Sequence, residues 1–367
     1  MIFKKRIALS FVFLVFFSSC TQLNEFHAVD PASITNPGGY PSHSNKKKLK
    51  AVILSDEKGT EITDLLIPFY LLSATESIEV RIISQTGAPI SIWKGIFLLP
   101  QENLKTSVWE PDVIILPAVF HSDEKPFSDY ISKYKNKQFL SICEGAKLIG
   151  ESKQFNGYEI TTHASSQNDI QKQYPDLNWK VHTKYTKDRN LISSAGVSSS
   201  VEASLILIEQ MLGEETRNKV MSKIHYPYPS VKKDHSSQAV GFWDSLGIAK
   251  KITFDGDPKI GVEVYEGMNE FLLAAYLDSF ARTFPSRIET FGPSTIRTES
   301  GLILYPTQTI KDYSTVFCKS FCESYDFPQA KKIRFKIAEY PFVSALTEVQ
   351  SLYGDRFAEI TKRLLDY

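Results

Sequence analysis

The stretch at residues 138–149, QFLSICEGAKLI, decides the fold, because an apolar strand-like run passes directly into a helical pattern. Ser141 and Gly145 flank Cys143 in the order small, x, nucleophile, x, small. A strand that turns abruptly into a helix crowds its own backbone, so the flanking residues must be small while the central side chain stands clear. The helix dipole behind the sulfur favours thiolate over thiol. A buried structural cysteine is the competing interpretation, and the pentapeptide alone leaves the two about even.

Apolar runs and helical patterns alternate along the chain on both sides of this stretch. The strand-like runs lie at residues 50–54, 80–83, 112–116, 138–142 and 191–194, and the helical patterns at residues 61–74, 144–151 and 199–212. Unbroken apolar strands that alternate with helices predict a mostly parallel sheet with helices on both faces. The predicted fold class is therefore a doubly wound α/β sheet.

The amino-terminal residues have the order of a secretion signal. Basic residues at positions 4–6 precede an apolar run at residues 7–17, which closes on Ser18, Ser19 and Cys20. Small residues just before a cysteine resemble the lipobox of bacterial lipoproteins, so we expect residues 1–19 to be removed and Cys20 to be lipidated. The apolar run has about 11 residues, fewer than the roughly 20 that a membrane-spanning helix needs.

Composition limits the location and the partners. Residues 20–48 are polar and rich in Gly, Pro and Lys, which predicts a lipidated flexible tether. The protein is expected on the exported side of the cell membrane or the outer membrane, held by its lipid. The chain has 42 basic and 42 acidic residues, so nothing in its charge suggests a nucleic-acid partner.

Three cysteines remain once Cys20 is assigned to lipid: Cys143, Cys318 and Cys322. An odd number in an exported protein implies at least one thiol outside a disulfide. Cys318 and Cys322 could form a disulfide or ligate a metal, but packing thiols are the favoured interpretation. No cluster of His and Cys completes a metal site, so neither a metal nor another cofactor is expected. Residues 313–317, ahead of this pair, form no convincing strand.

Four motifs in order within residues 50–228 resemble the DJ/PfpI superfamily. They are GTEITDLLIP at 59–68, ICEGAKLI at 142–149, ITTH at 160–163 and SSAGVS at 193–198. The resemblance implies a flavodoxin-like sheet of the class I glutamine-amidotransferase type, with the nucleophile at the carboxyl end of a strand. In motif the chain is most similar to isonitrile hydratases and to the amidase-like domains of AraC-type regulators.

The resemblance also implies roles for individual residues. Cys143 takes the nucleophile position. Asp64, four residues before a proline, takes the position of the acid that hydrogen-bonds the sulfur and tunes its ionisation. His163 matches a histidine near the cysteine in the glyoxalase and deglycase branch, where a role in packing or at a dimer interface is the alternative.

Two departures from the family pattern bear on activity. The family's Pro-Gly-Gly is replaced here by Pro117-Ala118-Val119, so the oxyanion-hole backbone would come from Ala118, Val119 and Glu144. Val119 resists the positive φ that glycine accepts, and oxyanion stabilisation usually supplies several kcal/mol, so activity could be weakened, altered or lost. The second departure is Glu144, at a position where the hydratase branch carries Thr. A carboxylate beside the sulfur opposes thiolate formation unless it turns away to solvent or donates a proton. Glu144 is also counted among the catalytic candidates.

A second, partial copy follows the first. Residues 267–276, GMNEFLLAAY, repeat the spacing of residues 59–68, and two later segments repeat at a nearly constant offset, which indicates a duplication. Leu272 stands where Asp64 stood, so this copy is expected to pack rather than catalyse. The expected organisation is a DJ/PfpI-like domain at 49–228, a linker at 229–256, and a degenerate partial α/β repeat with C-terminal helices at 257–367.

Two classes of function remain open. The first is a cysteine enzyme that acts on a small carbon or nitrogen electrophile by hydration, amide hydrolysis or aldehyde detoxification, and it is supported by Cys143 with Asp64. The second is a small-molecule binding or sensing lipoprotein that has lost turnover. The replacement of Gly-Gly by Ala118-Val119 and the degenerate second copy favour it. A peptidase ranks last. The expected partners are a small-molecule substrate or ligand and the membrane, through the lipid anchor, with a homodimer as a further option.

Overall fold

The computed structural model describes Tyr40 and residues 48–93, 96–235, 240–254, 258–306, 312–320 and 325–367. The predicted signal peptide, Cys20 and Cys322 lie outside these residues. Within them, no helix is both long enough and apolar enough to cross a membrane.

The strands are β1 (Leu49–Leu54), β2 (Ile78–Ser84), β3 (Ile90–Trp93), β4 (Ile96–Leu98), β5 (Glu102–Asn103), β6 (Val113–Leu116), β7 (Gln138–Ile142), β8 (Glu159–Ile160), β9 (Asn178–Trp179), β10 (Tyr185–Asp188), β11 (Leu191–Ser194), β12 (Lys259–Glu263), β13 (Arg287–Phe291), β14 (Ile296–Arg297), β15 (Ile303–Pro306), β16 (Thr315–Cys318) and β17 (Lys331–Arg334). The helices are α1 (Ile62–Ser73), α2 (Lys125–Lys133), α3 (Ala146–Ser152), α4 (Gln167–Gln173), α5 (Ser200–Leu212), α6 (Glu214–Lys223), α7 (Phe242–Phe254), α8 (Glu270–Ala281), α9 (Pro341–Tyr353) and α10 (Asp355–Leu364).

The central sheet has seven strands in the order β10-β11-β7-β6-β1-β2-β5, and only the β10–β11 pair is antiparallel. Successive side chains of a strand point to opposite faces. In β1, Ala51 and Ile53 belong to one hydrophobic core, whereas Val52 and Leu54 belong to another. A sheet buried on both faces needs this kind of unbroken apolar strand. The predicted mostly parallel sheet between helical layers is confirmed.

Extra α/β elements follow this sheet and repeat the order of its first half. A second, all-parallel sheet has the order β13-β12-β16-β17, so β12 lies between two parallel neighbours as β1 does between β2 and β6. The helix that follows each of these strands is capped at the equivalent place. Glu61 accepts a hydrogen bond from the amide of Asp64 at the start of α1, and Asn269 accepts one from the amide of Leu272 at the start of α8.

The two copies pack against each other through equivalent elements. Strand β4 of the first pairs antiparallel with β15 of the second, with Leu98 opposite Leu304, and this forms the sheet β14-β15-β4-β3. Helices α1 and α8 share one continuous hydrophobic core, which includes Leu66 and Phe271. The chain thus covers this face of its DJ/PfpI-like unit with its own second copy.

Three sequence expectations need correction. The segment at 229–256 is not a linker throughout, because it contains α7. Residues 313–317 overlap β16, which pairs with both β12 and β17. The favoured interpretation of Cys318 as a packing thiol is wrong, since Cys318 is disulfide-bonded. Within the expected tether, the Tyr40 hydroxyl donates to the Leu99 carbonyl at 2.9 Å and is held in place there.

Candidate functional site

Cys143 lies at the turn between β7 and α3, as the pattern around it predicts. A short 3₁₀ turn, Cys143–Gly145, joins the two elements, and the Cys143 backbone is in the left-handed region with φ of 53°. A Cβ at Gly145 would lie 1.9 Å from the carbonyl oxygen of Leu116, so only glycine permits this close approach. The Cys143 thiol is fully buried and is not in a disulfide.

Two further segments meet Cys143 at the carboxyl edge of the sheet. The hydroxyl of Thr162 donates to the Cys143 carbonyl at 2.7 Å, which brings the ITTH segment to the turn. Strand β11 lies beside β7 with Ser194 opposite Ile142, so the loop after β11 begins next to Cys143. Open α/β sheets bind their ligands at this edge.

Asp64 lies on the first turn of α1 and is fully buried. Burial raises the pKa of Asp64 well above its usual range, and the negative charge of Glu61 adds to the shift. Burial likewise raises the pKa of Glu61 to about 7, with the negative charge of Asp278 adding to it. Two neighbouring carboxyls that cannot both ionise share their protons as a pair. At neutral pH the site therefore keeps a proton on this pair.

One oxygen of each carboxyl accepts a hydrogen bond from a backbone amide. Glu61 Oε2 accepts from the Asp64 amide at 2.7 Å, and Asp64 Oδ2 accepts from the Ala118 amide at 3.0 Å. Asp64 Oδ1 and Glu61 Oε1 are buried and accept from no donor of the described residues. A hydrogen bond between the two carboxyls is one of the interactions that raise the pKa of Asp64. The pair therefore holds its proton between the two carboxyl groups.

The loop expected to supply the oxyanion hole is tied to this carboxyl pair. The Ala118 amide donates to Asp64, and the Ala118 carbonyl accepts from the Glu61 amide at 2.9 Å. Val119 forms an isolated antiparallel bridge with Thr60. In this conformation the Ala118 amide is therefore occupied, and the oxyanion role of Ala118, Val119 and Glu144 stays a prediction.

Glu144 is held by two partners. Its carboxylate accepts from Lys147 Nζ and from the hydroxyl of Ser166, each at 2.5 Å. The ammonium group of Lys147 offsets the negative charge that would oppose a thiolate at Cys143. Glu144 thus turns toward the start of α3 and the segment after His163.

His163 is fully buried near the carboxyl terminus of the chain. Its Nδ1 accepts from the Ser165 amide at 3.2 Å, which places the proton of a neutral ring on Nε2. Burial acts to raise the pKa of Asp366, but the hydrogen bond with His235 and the electrostatic interactions with His163 and His235 outweigh it, so the pKa lies below its usual value. Asp366 Oδ1 lies 2.6 Å from His235 Nε2.

The carboxyl-terminal residues close over the loop that follows β11. Ser198 donates through its hydroxyl to the Asp366 carbonyl at 2.8 Å, and its amide donates to the Leu365 carbonyl at 3.2 Å. A Cβ at Gly196 would lie 2.0 Å from the Cβ of Asp366, so glycine is needed for this contact. The carboxyl-terminal residues 365–366 therefore pack on the loop that begins next to Cys143.

Sequence reasoning missed Glu61, His235 and Asp366. Glu61 lies within the predicted motif, three residues before Asp64, but the motif singles out only one acid. His235 and Asp366 are far from Cys143 in sequence, and no local pattern marks either of them. Among the described residues no group of three or more His, Cys, Asp or Glu side chains could hold a metal ion.

Known proteins resemble the first half of the chain. The family model described as the DJ-1/PfpI family matches residues 49–210. Isonitrile hydratase from Pseudomonas putida is 23% identical over 192 residues, which cover 48% of this chain and 80% of that protein. Drosophila melanogaster DJ-1beta is 18% identical, with a TM-score of 0.44 and coverage of 49% of this chain and 100% of that chain. A ThiJ/PfpI family protein from Pseudomonas syringae is 14% identical, with a TM-score of 0.46 and coverage of 59% and 94%.

The chain therefore carries a DJ-1/PfpI family domain, as its four motifs predict. The similarity to an isonitrile hydratase is also confirmed, at low identity.

Proposed function

We propose that this protein is a membrane-anchored, cysteine-dependent enzyme that hydrates or hydrolyses a small electrophilic molecule. The backbone of Cys143 carries the proposal. Holding a non-glycine residue at a φ of 53° costs on the order of 1–3 kcal/mol, and such residues cluster at functional sites. A packing cysteine needs no such conformation, whereas a nucleophile at the end of a strand does.

The buried carboxyl pair supports the same chemistry. For an isonitrile, the substrate class in the name of the Pseudomonas putida relative, the Cys143 sulfur would bond to the terminal carbon, and the thiol proton, relayed by Asp64 and Glu61, would go to that carbon. Water would then add to the same carbon and the carbon–sulfur bond would break. The sulfur recovers a proton, and the N-formyl product leaves with the atoms of substrate plus water.

An aliphatic isonitrile tests this function directly. The full chain is incubated with it while the loss of the isonitrile stretch and the formation of the formamide are followed. We expect turnover that Cys143→Ala abolishes and Asp64→Asn lowers, whereas the surface variant Val108→Ser leaves it unchanged. Equal turnover in Cys143→Ala and the unmodified protein would contradict the proposal.

A small-molecule binding or sensing function is the second candidate. The full burial of Cys143 and the engagement of the Ala118 amide by Asp64 favour it. In that case a ligand would raise the melting temperature of the protein through preferential binding to the folded state, with no turnover. A homodimer would have to use a face other than the one that β15 and α8 already cover, and sedimentation velocity tests it.

Lipid attachment at Cys20 on the exported side of the membrane is part of the proposal. The order of basic, apolar and small residues before Cys20 supports it. Globomycin or Cys20→Ser should leave the protein unprocessed. A Cys20→Ser protein that is still processed to the mature form and still held at the membrane through its N-terminus would show that the anchor is wrongly assigned.

A further inference from the structure

Helix α7 exposes an unusual amount of apolar surface. Ten large apolar side chains are exposed among the described residues, and five of them lie on this one helix. They are Phe242, Trp243, Leu246, Ile252 and Phe254, with exposed fractions of 63, 69, 47, 46 and 76%. A cluster of exposed apolar side chains on one helix is a candidate contact surface.

The polarity of α7 is inverted relative to an ordinary surface helix. Its inward side carries Asp244, Ser245 and Lys251 together with Ile248. Asp244 accepts from Arg363 Nη1 at 2.6 Å, and Lys251 Nζ lies 4.3 Å from the centre of the Tyr353 ring. An ordinary surface helix turns its apolar stripe to the core and its charges to water. Here these polar contacts, together with Ile248 in a hydrophobic cluster with Phe357 and Ile360, fix the helix to the protein, and the larger apolar side chains remain outward.

We propose that the outward side of α7 docks onto a lipid bilayer. On a helical projection, Phe242, Trp243, Leu246 and Phe254 share one side with Lys250. Aromatic and leucine side chains that enter the boundary between headgroups and acyl chains, beside a lysine that stays with the phosphates, are typical of interfacial helices.

The size of the surface argues against a second protein copy as its partner. A helix of 13 residues is about 20 Å long and about 10 Å wide, so its outward side covers on the order of 200 Å². A stable protein–protein interface needs about 800 Å² from each partner. Docking of one helix on a membrane does not need so large an area, because it adds to the attachment that a lipid on Cys20 would provide.

The chain outside the described residues supports the same partner. Tyr40 is fixed to the sheet between the two copies, where its hydroxyl accepts from the Ile303 amide at 2.8 Å. Tyr40 lies 20 residues after Cys20 in the sequence. If Cys20 is lipidated, as the proposed function holds, the protein that carries α7 is already attached to a bilayer.

Quenching of Trp243 by lipid tests the docking at the helix itself. The full chain is reconstituted in vesicles of phosphatidylethanolamine and phosphatidylglycerol with brominated acyl chains. We expect quenching of tryptophan emission that disappears in Trp243→Phe and falls in Leu246→Ser/Phe254→Ser, while Val108→Ser and Trp179→Phe retain it. Melting temperatures of the variants check that they remain folded.

The outcomes separate docking from anchoring. Vesicle-bound protein without quenching of Trp243 overturns the docking and leaves the lipid anchor intact. Quenching of Trp243 in a Cys20→Ser chain supports the docking even where processing at Cys20 is absent. Concentration-dependent association without lipid, lost in Leu246→Ser/Phe254→Ser, would assign this surface to a second copy and overturn the proposal.

Discussion

Replacing Gly196 with alanine should displace the carboxyl-terminal tail, residues 365–367, from the loop that follows β11. The added Cβ would lie 2.0 Å from the Cβ of Asp366, far inside van der Waals contact. Overpacking a closed contact costs about 1–3 kcal/mol. If the tail opens to relieve it, the population of the open state rises by about 5- to 150-fold, because 1.4 kcal/mol corresponds to a factor of ten.

If residues 365–367 close the site, the alkylation rate of Cys143 measures this opening, because the thiol is fully buried. An iodoacetamide probe should label Cys143 faster in Gly196→Ala by the same factor, with little change in melting temperature. Gly241→Ala is the matched control, since its added Cβ would meet only Asp244 Oδ2, at an ordinary 3.6 Å. A lower melting temperature with unchanged labelling would refute the idea that the tail closes the site.

Three further variants test the carboxyl pair of Glu61 and Asp64 and the tight turn Cys143–Gly145, which we call the elbow. Burial raises the pKa of Glu61 from 4.5 in the unfolded chain to about 7 in the folded protein, so the folded state holds a proton that the unfolded state has lost. The free energy of unfolding should therefore fall as pH rises from about 4.5 to about 7. In Glu61→Gln, thermal unfolding should show a smaller decline over this pH range. Gly145→Ala should destabilise the protein by about 1–3 kcal/mol or prevent folding, as denaturant unfolding would show. Lys147→Ala should raise the thiol pKa of Cys143, because the Glu144 charge is then no longer offset.

Each of these variants has an outcome that contradicts its reasoning. A pH profile of Glu61→Gln that parallels the unmodified protein would place the titration elsewhere. Full stability in Gly145→Ala would mean that the elbow relaxes freely. An unchanged thiol pKa in Lys147→Ala would show that Glu144 lies too far from the sulfur to matter.

Local patterns in the sequence are sufficient to predict the turn at Cys143. The apolar run before Cys143 predicts β7, and Ser141 and Gly145 predict the tight turn, because both depend on neighbours within a few residues. The same holds for Asp64, which lies in the first turn of α1. The DJ/PfpI resemblance adds that these two segments meet.

Contacts between distant parts of the chain could not be predicted in this way. Asp366 meets the ITTH segment across some two hundred residues, and its partner His235 lies in a stretch that composition alone makes a linker. Helix α7 was missed because its apolar residues point outward, against the usual rule that a helix buries its apolar side. The β16 strand, at Thr315–Cys318, became visible only through its pairing with β12.

The pH dependence of Cys143 alkylation tests the central claim most directly. The elbow and the helix dipole behind the sulfur should lower the thiol pKa by roughly one to five units from the ordinary value near 8.5. We expect mass spectrometry to find Cys143 as the labelled residue, with a rate whose midpoint lies clearly below pH 8.5. A midpoint at or above about 8.5 would contradict the assignment of Cys143 as a nucleophile.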